Sequence, residues 1–279
     1  MDLGLQDHVV LVTGASGGIG RALALEFAAE GARLVLTGRS RFDELVALVA
    51  GQPWKDRAVC VLADASKPAE IEAAFAAGVE RFGRVDVAVA NAGFWPRENL
   101  LLHQASEERI RGALDANLLS ALFTARAFMA TLARTGPRAD GHGASVCFVG
   151  STAGRFGERH HCEYAVAKAG LHGLVTTLKN ELVLLDPYAR VNMVEPGWTV
   201  THRVRPELAQ PGMIARVTRT MALRQLARAV DIAKSIVWLS SPRASRHTSG
   251  QVLTLAGGME GRVVWEVGEV DEAAVRARL

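Results

Sequence analysis

The amino-acid sequence predicts an α/β fold in which helices cover both faces of one doubly wound, seven-stranded parallel sheet. Short apolar runs, such as HVVLVT at residues 8–13, alternate along the chain with longer stretches of helical period. These runs are apolar at consecutive positions, which is typical of strands buried on both faces of a parallel sheet. We expect residues 1–262 to form one domain and residues 263–279 a C-terminal extension.

The predicted elements follow one another in regular order. Strands are predicted at residues 8–13, 33–37, 58–63, 85–90, 145–149, 190–194 and 252–255. Helices are predicted at residues 19–30, 42–50, 68–82, 106–134, 163–185 and 228–239. Gly31 is suited to ending the first helix and Pro68 to the first turn of the third. Residues 135–143 (TGPRADGHG) predict a surface loop, and residues 198–221, with two prolines and several arginines, an irregular lid.

Composition argues against several classes of protein. The chain has 279 residues, 49% of them hydrophobic, and a net charge of +3, without a basic run interleaved with aromatic residues, so we expect no nucleic-acid partner. Its three cysteines show no CxxC or His/Cys ligand spacing, so neither a disulfide framework nor a metal site is expected. The N-terminus lacks the pattern of a signal peptide, and no apolar run approaches the roughly 20 residues of a membrane span. We therefore expect a cytoplasmic protein without a membrane partner.

A glycine-rich turn joins the first predicted strand to the first predicted helix. Residues 13–20 read TGASGGIG. Gly14 permits the tight turn, Gly18 lets a pyrophosphate approach the backbone, and Gly20 lets the helix pack on the strand. The pyrophosphate would lie against N–H groups at the positive end of the helix. The turn therefore predicts a dinucleotide site of the Rossmann type, with Ser16 and Ile19 as further contacts.

The end of the second strand indicates which dinucleotide is bound. In NAD-binding folds a carboxylate at this point holds the ribose hydroxyls. Here the chain reads Thr37-Gly38-Arg39-Ser40, with no carboxylate to repel a 2′-phosphate. Arg39 offers a planar fork of donors and Ser40 a hydroxyl. The alternative is that Arg39 is a solvated loop cation. We predict NADP(H) in preference to NAD(H).

Four polar residues form the candidate catalytic set. Tyr164 and Lys168 are four residues apart and so share one face of a helix. The lysine ammonium is expected to lower the tyrosine pKa from its usual value of about 10. Ser151 follows the fifth strand. Asn117 lies within an apolar helix, where asparagine is unfavourable, which suggests a specific role.

Together with the glycine turn, this set resembles the short-chain dehydrogenase/reductase family over about residues 5–260. The resemblance implies that Tyr164 exchanges a proton with the substrate oxygen and that Ser151 hydrogen-bonds that oxygen. It implies that Asn117 bends its helix and positions a water that relays protons to Lys168, which also binds the nicotinamide ribose. The fold and the cofactor predicted from the residues agree with it.

The resemblance also assigns further positions to the cofactor. Asp64 and Ala65 would contact the adenine, and a threonine near position 201 the nicotinamide carboxamide. The remaining implied contacts are Asn91, Ala92, Gly93, Pro196, Gly197, Thr199 and Thr201, with Asn91 first of all a structural residue. Three positions depart from the family pattern, namely Gly17, Glu195 and Ala256. Glu195 would be either exposed or near the site.

The substrate is the least determined part of the prediction. Candidate contacts on the loops are Trp95, Arg155, Phe156, His161 and Trp198, and beyond these Phe94, His160, His202 and Arg203. The resemblance implies interconversion of a carbonyl and a secondary alcohol, with a 3-oxoacyl thioester as the most specific substrate. Another ketone, a sugar or a polyketide are alternatives, as is a non-catalytic nucleotide sensor or scaffold. The family's pairing through two long helices implies a homodimer or homotetramer.

Overall fold

The computed structural model describes residues 2–202, 204–261 and 263–279. Seven strands form one sheet in the order β3-β2-β1-β4-β5-β6-β9, and every neighbouring pair is parallel. They are β1 (Val9–Val12), β2 (Arg33–Gly38), β3 (Ala58–Leu62), β4 (Val87–Ala90), β5 (Ser145–Val149), β6 (Arg190–Pro196) and β9 (Val252–Leu255). The predicted seven-stranded parallel sheet is confirmed. A separate short pair joins β7 (Thr199–Val200) to β8 (Ala227–Arg228).

Helices cover both faces of the sheet, as predicted. They are α1 (Gly18–Ala29), α2 (Phe42–Ala50), α3 (Pro68–Phe82), α4 (Glu107–Leu114), α5 (Ser120–Thr135), α6 (Thr152–Phe156), α7 (Cys162–Glu181), α8 (Arg205–Leu208), α9 (Met213–Thr218), α10 (Ala229–Ser240) and α11 (Glu272–Arg276). One apolar core lies under α3, α5 and α7, and a second under α1 and α10. The chain order reverses between β1 and β4, and their carboxyl ends open the crevice in which such folds bind ligands.

The long helix predicted at residues 106–134 differs in one respect. A π-helical turn, Asp115–Leu119, divides it into α4 and α5. The whole region, Glu107–Thr135, is long and apolar enough to cross a membrane by length and composition. Half of its most apolar stretch is buried inside the protein, as in the core helix of a folded domain.

The lid contains more regular structure than its sequence predicts. Strand β7 and the short helices α8 and α9 lie within residues 198–221. Their apolar side chains form a third cluster, apart from the two sheet cores, together with residues of the extension. The predicted surface loop at residues 135–143 is free of regular structure beyond the last residue of α5.

Candidate active site

The glycine turn has the geometry that a dinucleotide pyrophosphate requires. Gly14 has a φ of +64°, which favours glycine. A Cβ on Gly20 would lie 2.3 Å from the Gly14 carbonyl oxygen, and one on Gly18 would lie 2.6 Å from the Thr201 Cβ. Helix α1 begins at Gly18, and Gly17 before it has no side chain to cap the first N–H groups. The turn and helix end therefore fit a bound anion.

Asn91 fastens the end of β4 to this turn. Its Nδ2 donates to the Thr13 carbonyl at 2.9 Å and to the Gly14 carbonyl at 3.2 Å. The Thr13 hydroxyl in turn accepts from the backbone N–H groups of Asn91 and Ala92, both at 3.0 Å. These bonds account for the structural role expected of Asn91, and they place the Ala92 backbone 2.9 Å from where a Gly14 Cβ would be.

Arg39 and Ser40 lie at the carboxyl end of β2, next to Asp64 after β3. The exposed Arg39 guanidinium donates to Asp64 Oδ2 at 2.8 Å. Burial acts to raise the pKa of Asp64, but hydrogen bonds from Arg39 and Ser66 outweigh it, and the pKa lies below its usual value. Asp64 is thus an ionised partner of Arg39 in addition to the adenine contact implied for it, and buried Ala65 follows it.

Arg41 was missed by the sequence reasoning. It lines the same surface depression as Arg39, Ser40 and Leu62. Its guanidinium also contacts the His202 ring, so it joins the cofactor end of the sheet to the lid. The signal available in the sequence was a second arginine two residues after the first. A 2′-phosphate in this depression would face the guanidinium groups of Arg39 and Arg41. Asp43 and Glu44 line the depression as well, and Asp64 pairs with Arg39, so the phosphate would compete with these carboxylates.

Ser151, Tyr164 and Lys168 meet at the carboxyl end of β5. Ser151 caps α6, where its Oγ accepts from the Ala153 N–H at 3.2 Å, and its hydroxyl hydrogen-bonds Tyr164. Lys168 is buried and its Nζ donates to the Val149 carbonyl at 2.8 Å. That Nζ lies 5.9 Å from the centre of the Tyr164 ring. The three predicted residues, two on α7 and one at the cap of α6, are therefore neighbours.

The expected lowering of the Tyr164 pKa by Lys168 was wrong for this structure. Burial raises the pKa of Tyr164 above its usual value, and the hydrogen bond with Ser151 opposes this only in part. The Lys168 ammonium is directed at a backbone carbonyl, and burial lowers its own pKa to about 8. The spacing of four places the two side chains on one face, but burial then determines both protonation states.

Asn117 occupies the π-helical turn and bonds the chain that follows β4. Its Nδ2 donates to the carbonyl oxygens of Phe94 and Ala113, both at 3.0 Å, and its Oδ1 accepts from the Phe94 N–H at 3.1 Å. A Cβ on Gly93 would lie 2.6 Å from this Oδ1 and 3.4 Å from Lys168 Nζ. Gly93 therefore lets Asn117 and Lys168 approach one another across the backbone. The π turn supplies the irregularity that the resemblance implied for this helix.

Trp95 and His161 form an aromatic wall beside Tyr164. The Trp95 ring stands edge-on to Tyr164, with centroids 4.8 Å apart, and 4.0 Å from the His161 ring. His161 is buried, its Nε2 lies 2.9 Å from Asn99 Oδ1, and burial lowers its pKa. Behind the wall, Arg109 Nε donates to Glu163 Oε1 at 2.7 Å. Asn99 and this ion pair gave no signal in the sequence, because their partners are more than 50 residues away.

The other predicted substrate contacts lie further from Tyr164 or against the lid. Arg155 is half exposed, 5.7 Å from the Phe156 ring centre, and turns toward Glu195, with 3.7 Å between Nη1 and Oε2. Phe156 is 38% exposed. Trp198 packs on the lid cluster. Arg203 lies outside the described residues.

Glu195 is buried, which excludes the first of its two alternatives, exposure, and leaves a position near the site. Its Oε1 lies 2.7 Å from His172 Nε2, and its Oε2 accepts from the Thr254 hydroxyl at 3.0 Å. A Cβ on Gly150, the residue before Ser151, would lie 3.1 Å from the Glu195 Cγ. The carboxylate therefore lies directly behind the active-site edge and joins α7, β6 and β9.

The end of β6 is fixed by its neighbours. The Gly197 N–H donates to the Leu255 carbonyl at 3.0 Å, and a Cβ on Gly197 would lie 2.9 Å from the Ala256 Cβ. The Thr199 hydroxyl donates to the Gly197 carbonyl at 3.0 Å. Pro196, Gly197 and Thr199 thus hold their backbone beside β9, while Thr201 faces the glycine turn. Among the residues that the structure describes, no group of three His, Cys, Asp or Glu side chains is placed to hold a metal ion.

Comparison with known proteins agrees with this site. A family model described as Enoyl-(Acyl carrier protein) reductase matches residues 14–260. The chain is 35% identical over 263 residues to L-rhamnose 1-dehydrogenase (NAD(P)(+)) of Azotobacter vinelandii, covering 91% of this chain and 97% of the relative. It is 31% identical over 260 residues to 3-oxoacyl-[acyl-carrier-protein] reductase of Escherichia coli, covering 92% and 99%.

A solved structure gives the same result. The short-chain dehydrogenase/reductase described as glucose/ribitol dehydrogenase from Brucella melitensis superposes with a TM-score of 0.77 at 27% identity, covering 93% of this chain and 99% of that one. Fold, matched residues and relatives together show that the chain belongs to the short-chain dehydrogenase/reductase family of oxidoreductases.

Proposed function

We propose that the protein is an NADP(H)-dependent oxidoreductase that interconverts a carbonyl and a secondary alcohol by hydride transfer. The observation that carries the proposal is the convergence of Ser151, Tyr164 and Lys168 at the carboxyl end of β5. Asn117 reaches the same place from the π turn, beside Gly93. The glycine turn opens onto the same edge of the sheet. A nicotinamide bound there would supply or accept the hydride.

The protein's own side chains would handle the proton. Because burial raises the pKa of Tyr164, its hydroxyl stays protonated at neutral pH and acts as the acid toward a forming alkoxide. The Ser151 hydroxyl, already bonded to Tyr164, would stabilise that oxygen. Lys168 and Asn117 lie on either side of Gly93. Together they would return the proton to Tyr164, and Lys168 would also hold the nicotinamide ribose. The half-exposed Trp95 ring and the buried His161 ring would shield one side of the reacting atoms from water.

Arg39, Ser40 and Arg41 support NADP(H) over NAD(H). They line one depression at the end of β2, where Arg39 and Ser40 follow the strand directly and Asp43 and Glu44 complete the lining. A guanidinium binds a phosphate more strongly than a ribose hydroxyl because the hydrogen bonds are charge-assisted. The relative from Azotobacter vinelandii is named for both cofactors, so the preference is a matter for measurement.

For the substrate we propose a 3-oxoacyl thioester, the class named for the Escherichia coli relative. The arginines of the lid favour an anionic or carrier-linked acyl group. A sugar is the second candidate, since an indole platform 4.8 Å from the reacting tyrosine suits the apolar face of a compact ring. The relative from Azotobacter vinelandii is named for L-rhamnose, a sugar, which supports testing sugars as substrates.

The protein is further proposed to act in the cytoplasm as a homodimer or homotetramer. Leu122 of α5 and Val166 of α7 are exposed apolar side chains, 39% and 56% accessible, on the two helices through which the family pairs. Size-exclusion chromatography with light scattering checks this. A single species of 29.8 kDa would contradict it.

The function is tested by NADPH oxidation against a panel of 3-oxoacyl thioesters, aldoses and simple ketones, with the reverse reaction on the alcohols. The chain has two tyrosines, so Tyr188→Phe, at an exposed position, is a matched control for Tyr164→Phe. We expect Tyr164→Phe to bind NADPH as the parent does and to lose at least about 100-fold in turnover. Turnover retained by Tyr164→Phe would overturn the mechanism, and binding without turnover in the parent would favour the nucleotide sensor.

A further inference from the structure

The two helices of the lid are too short to be stable by themselves. Helix α8 has four residues and α9 has six, whereas isolated helices under about 12 residues are marginal in water. Each helix end also leaves backbone groups without intrahelical partners. The residue that precedes α9 is Gly212, with a φ of +73°, which has no side chain to accept from the first turn. The lid therefore needs partners from elsewhere in the chain.

The extension supplies those partners at both ends of α9. Glu272 Oε1 accepts from the Ala215 N–H, in the first turn, at 2.9 Å. At the other end, the Arg219 carbonyl accepts from the N–H groups of Val264 and Trp265, at 2.7 and 3.0 Å. The Trp265 Nε1 donates to the Met221 carbonyl at 2.7 Å. Residues more than 40 positions away thus cap a helix that cannot cap itself.

The same extension also holds α8 and fills the core of the lid. Arg276 Nη2 donates to the carbonyl of Leu208, the last residue of α8, at 2.8 Å. Val270 and Val275 are buried in the lid cluster, with Val200, Leu208, Ile214, Ala215, Val217, Met221 and Leu226. Arg224 lies 3.7 Å from the centre of the Trp265 ring, a cation–π distance.

The lid so held contacts the active-site edge of the sheet at two points. Thr201 packs on Gly18 of the glycine turn, and His202 contacts Arg41. Trp198, partly buried, packs against the lid cluster. Gly261, just before the extension, lies next to Phe156, because a Cβ on Gly261 would be 3.8 Å from the Phe156 ring. Movement of the lid would therefore change the walls of the substrate side.

We propose that the C-terminal extension is an intramolecular strap that holds the lid over the substrate side of the active site. Trp265 and Glu272 are its positioning residues, and they set the affinity for substrate without taking part in the chemistry. The strap lies beyond residue 260, where the match to the family model ends. The effect on substrate affinity rests on the proposed function, whereas the effect on the lid does not.

The first experiment uses trypsin and needs no substrate. Arg216 lies within α9 and Arg219 directly after it, so both bonds become cleavable when the helix opens. The variants are Trp265→Phe, Glu272→Ala and a chain that lacks residues 263–279, with Glu266→Ala, an exposed glutamate of the same extension, as control. We expect cleavage in the lid to be about tenfold faster or more in the shortened chain and severalfold faster in both single variants. Wild-type cleavage rates in the single variants would overturn the proposal.

The second experiment separates positioning from chemistry. With the substrate found above, Glu272→Ala and Trp265→Phe should raise KM severalfold, while kcat stays within about twofold. The Kd for NADPH is measured beside KM, because Thr201 and His202 of the lid contact Gly18 and Arg41. Unchanged KM, or a fall in kcat alone, would overturn the positioning role. Melting temperature and NADPH binding establish that each variant is folded, and if the shortened chain does not fold, the single variants decide. Should no substrate be found, the proteolysis result still stands.

Discussion

The active-site edge of the sheet and the lid differ in where their backbone and polar groups find hydrogen-bond partners. At the edge, Asn117 and Lys168 bond backbone groups of the segments beside them, and the 20-residue helix α7 carries Tyr164 and Lys168 against the sheet. In the lid, helices of four and six residues depend on Glu272, Trp265 and Arg276 of the extension. The candidate catalytic residues are thus held by the sheet, and the lid by a separate, smaller cluster whose partners are distant in sequence.

Lys168 offers the largest test of this difference. Lys168→Met should reduce turnover by about 100-fold or more, because it removes the ammonium beside Gly93, and should leave the rate of tryptic cleavage in the lid unchanged. Steady-state kinetics and proteolysis measure the two effects. Lys234→Met, at an exposed position of α10, is the control. Faster lid cleavage in Lys168→Met would show that the two regions are not independent.

The protonation of Lys168 adds a pH dependence. Burial lowers its pKa from 10.5 to about 8, so the folded state binds fewer protons than the unfolded state between these values. The free energy of unfolding therefore rises with pH in this window, by about 3 kcal/mol in total. Below pH 8 the full cost of burying the charged Lys168 ammonium is present. The difference in free energy of unfolding between the parent and Lys168→Met should show this rise. A flat difference from pH 8 to 10 would contradict it.

His172 tests how the edge is supported from behind. His172→Leu should lower the free energy of unfolding by about 1–3 kcal/mol, because it removes one hydrogen-bond partner of the buried Glu195 carboxyl group and leaves it Thr254 and the more distant Arg155. Adding Glu195→Gln should restore part of the loss. Urea denaturation measures both, with exposed His103→Leu as control. Equal stability of the single and double variants would mean that the pair is not coupled.

Arg39 tests the cofactor end with a smaller effect. Arg39→Ala should weaken NADPH binding about tenfold and leave NADH binding nearly unchanged, because only NADPH carries the 2′-phosphate on the adenosine ribose that this guanidinium would bind. Fluorescence titration with both cofactors measures the ratio. Arg33→Ala, at the opposite end of β2 and paired with Asp7, is the control. Equal loss for the two cofactors would remove Arg39 as the basis of selection.

Trp95, beside Tyr164 at the active-site edge, gives the smallest expected effect. Trp95→Ala should raise KM for substrate about two- to tenfold, since it removes one aromatic contact from the wall beside Tyr164. Trp238 of α10 is a matched control, because the two indoles are 38% and 37% exposed. An effect of Trp95→Ala on the Kd for NADPH but not on KM would assign this ring to the cofactor instead.

Much of the site was predictable because its signals are local. TGASGGIG and the Tyr164–Lys168 spacing each lie within one turn or one helix, and the ends of parallel strands bring such segments to one edge. Asn99 and the Arg109–Glu163 pair were not predictable, because charged and polar residues are common and only contacts over long sequence distances give these a role.

The sequence by itself determined the parallel sheet, the glycine turn and the order of Asn117, Ser151, Tyr164 and Lys168, because apolar periodicity and residue spacing act over short stretches of chain. Only the tertiary structure decided the protonation of Tyr164 and Lys168, the burial of Glu195 and the contact of the extension with the lid. Desolvation and helix capping depend on which atoms surround a group in space, and here those atoms come from other parts of the chain.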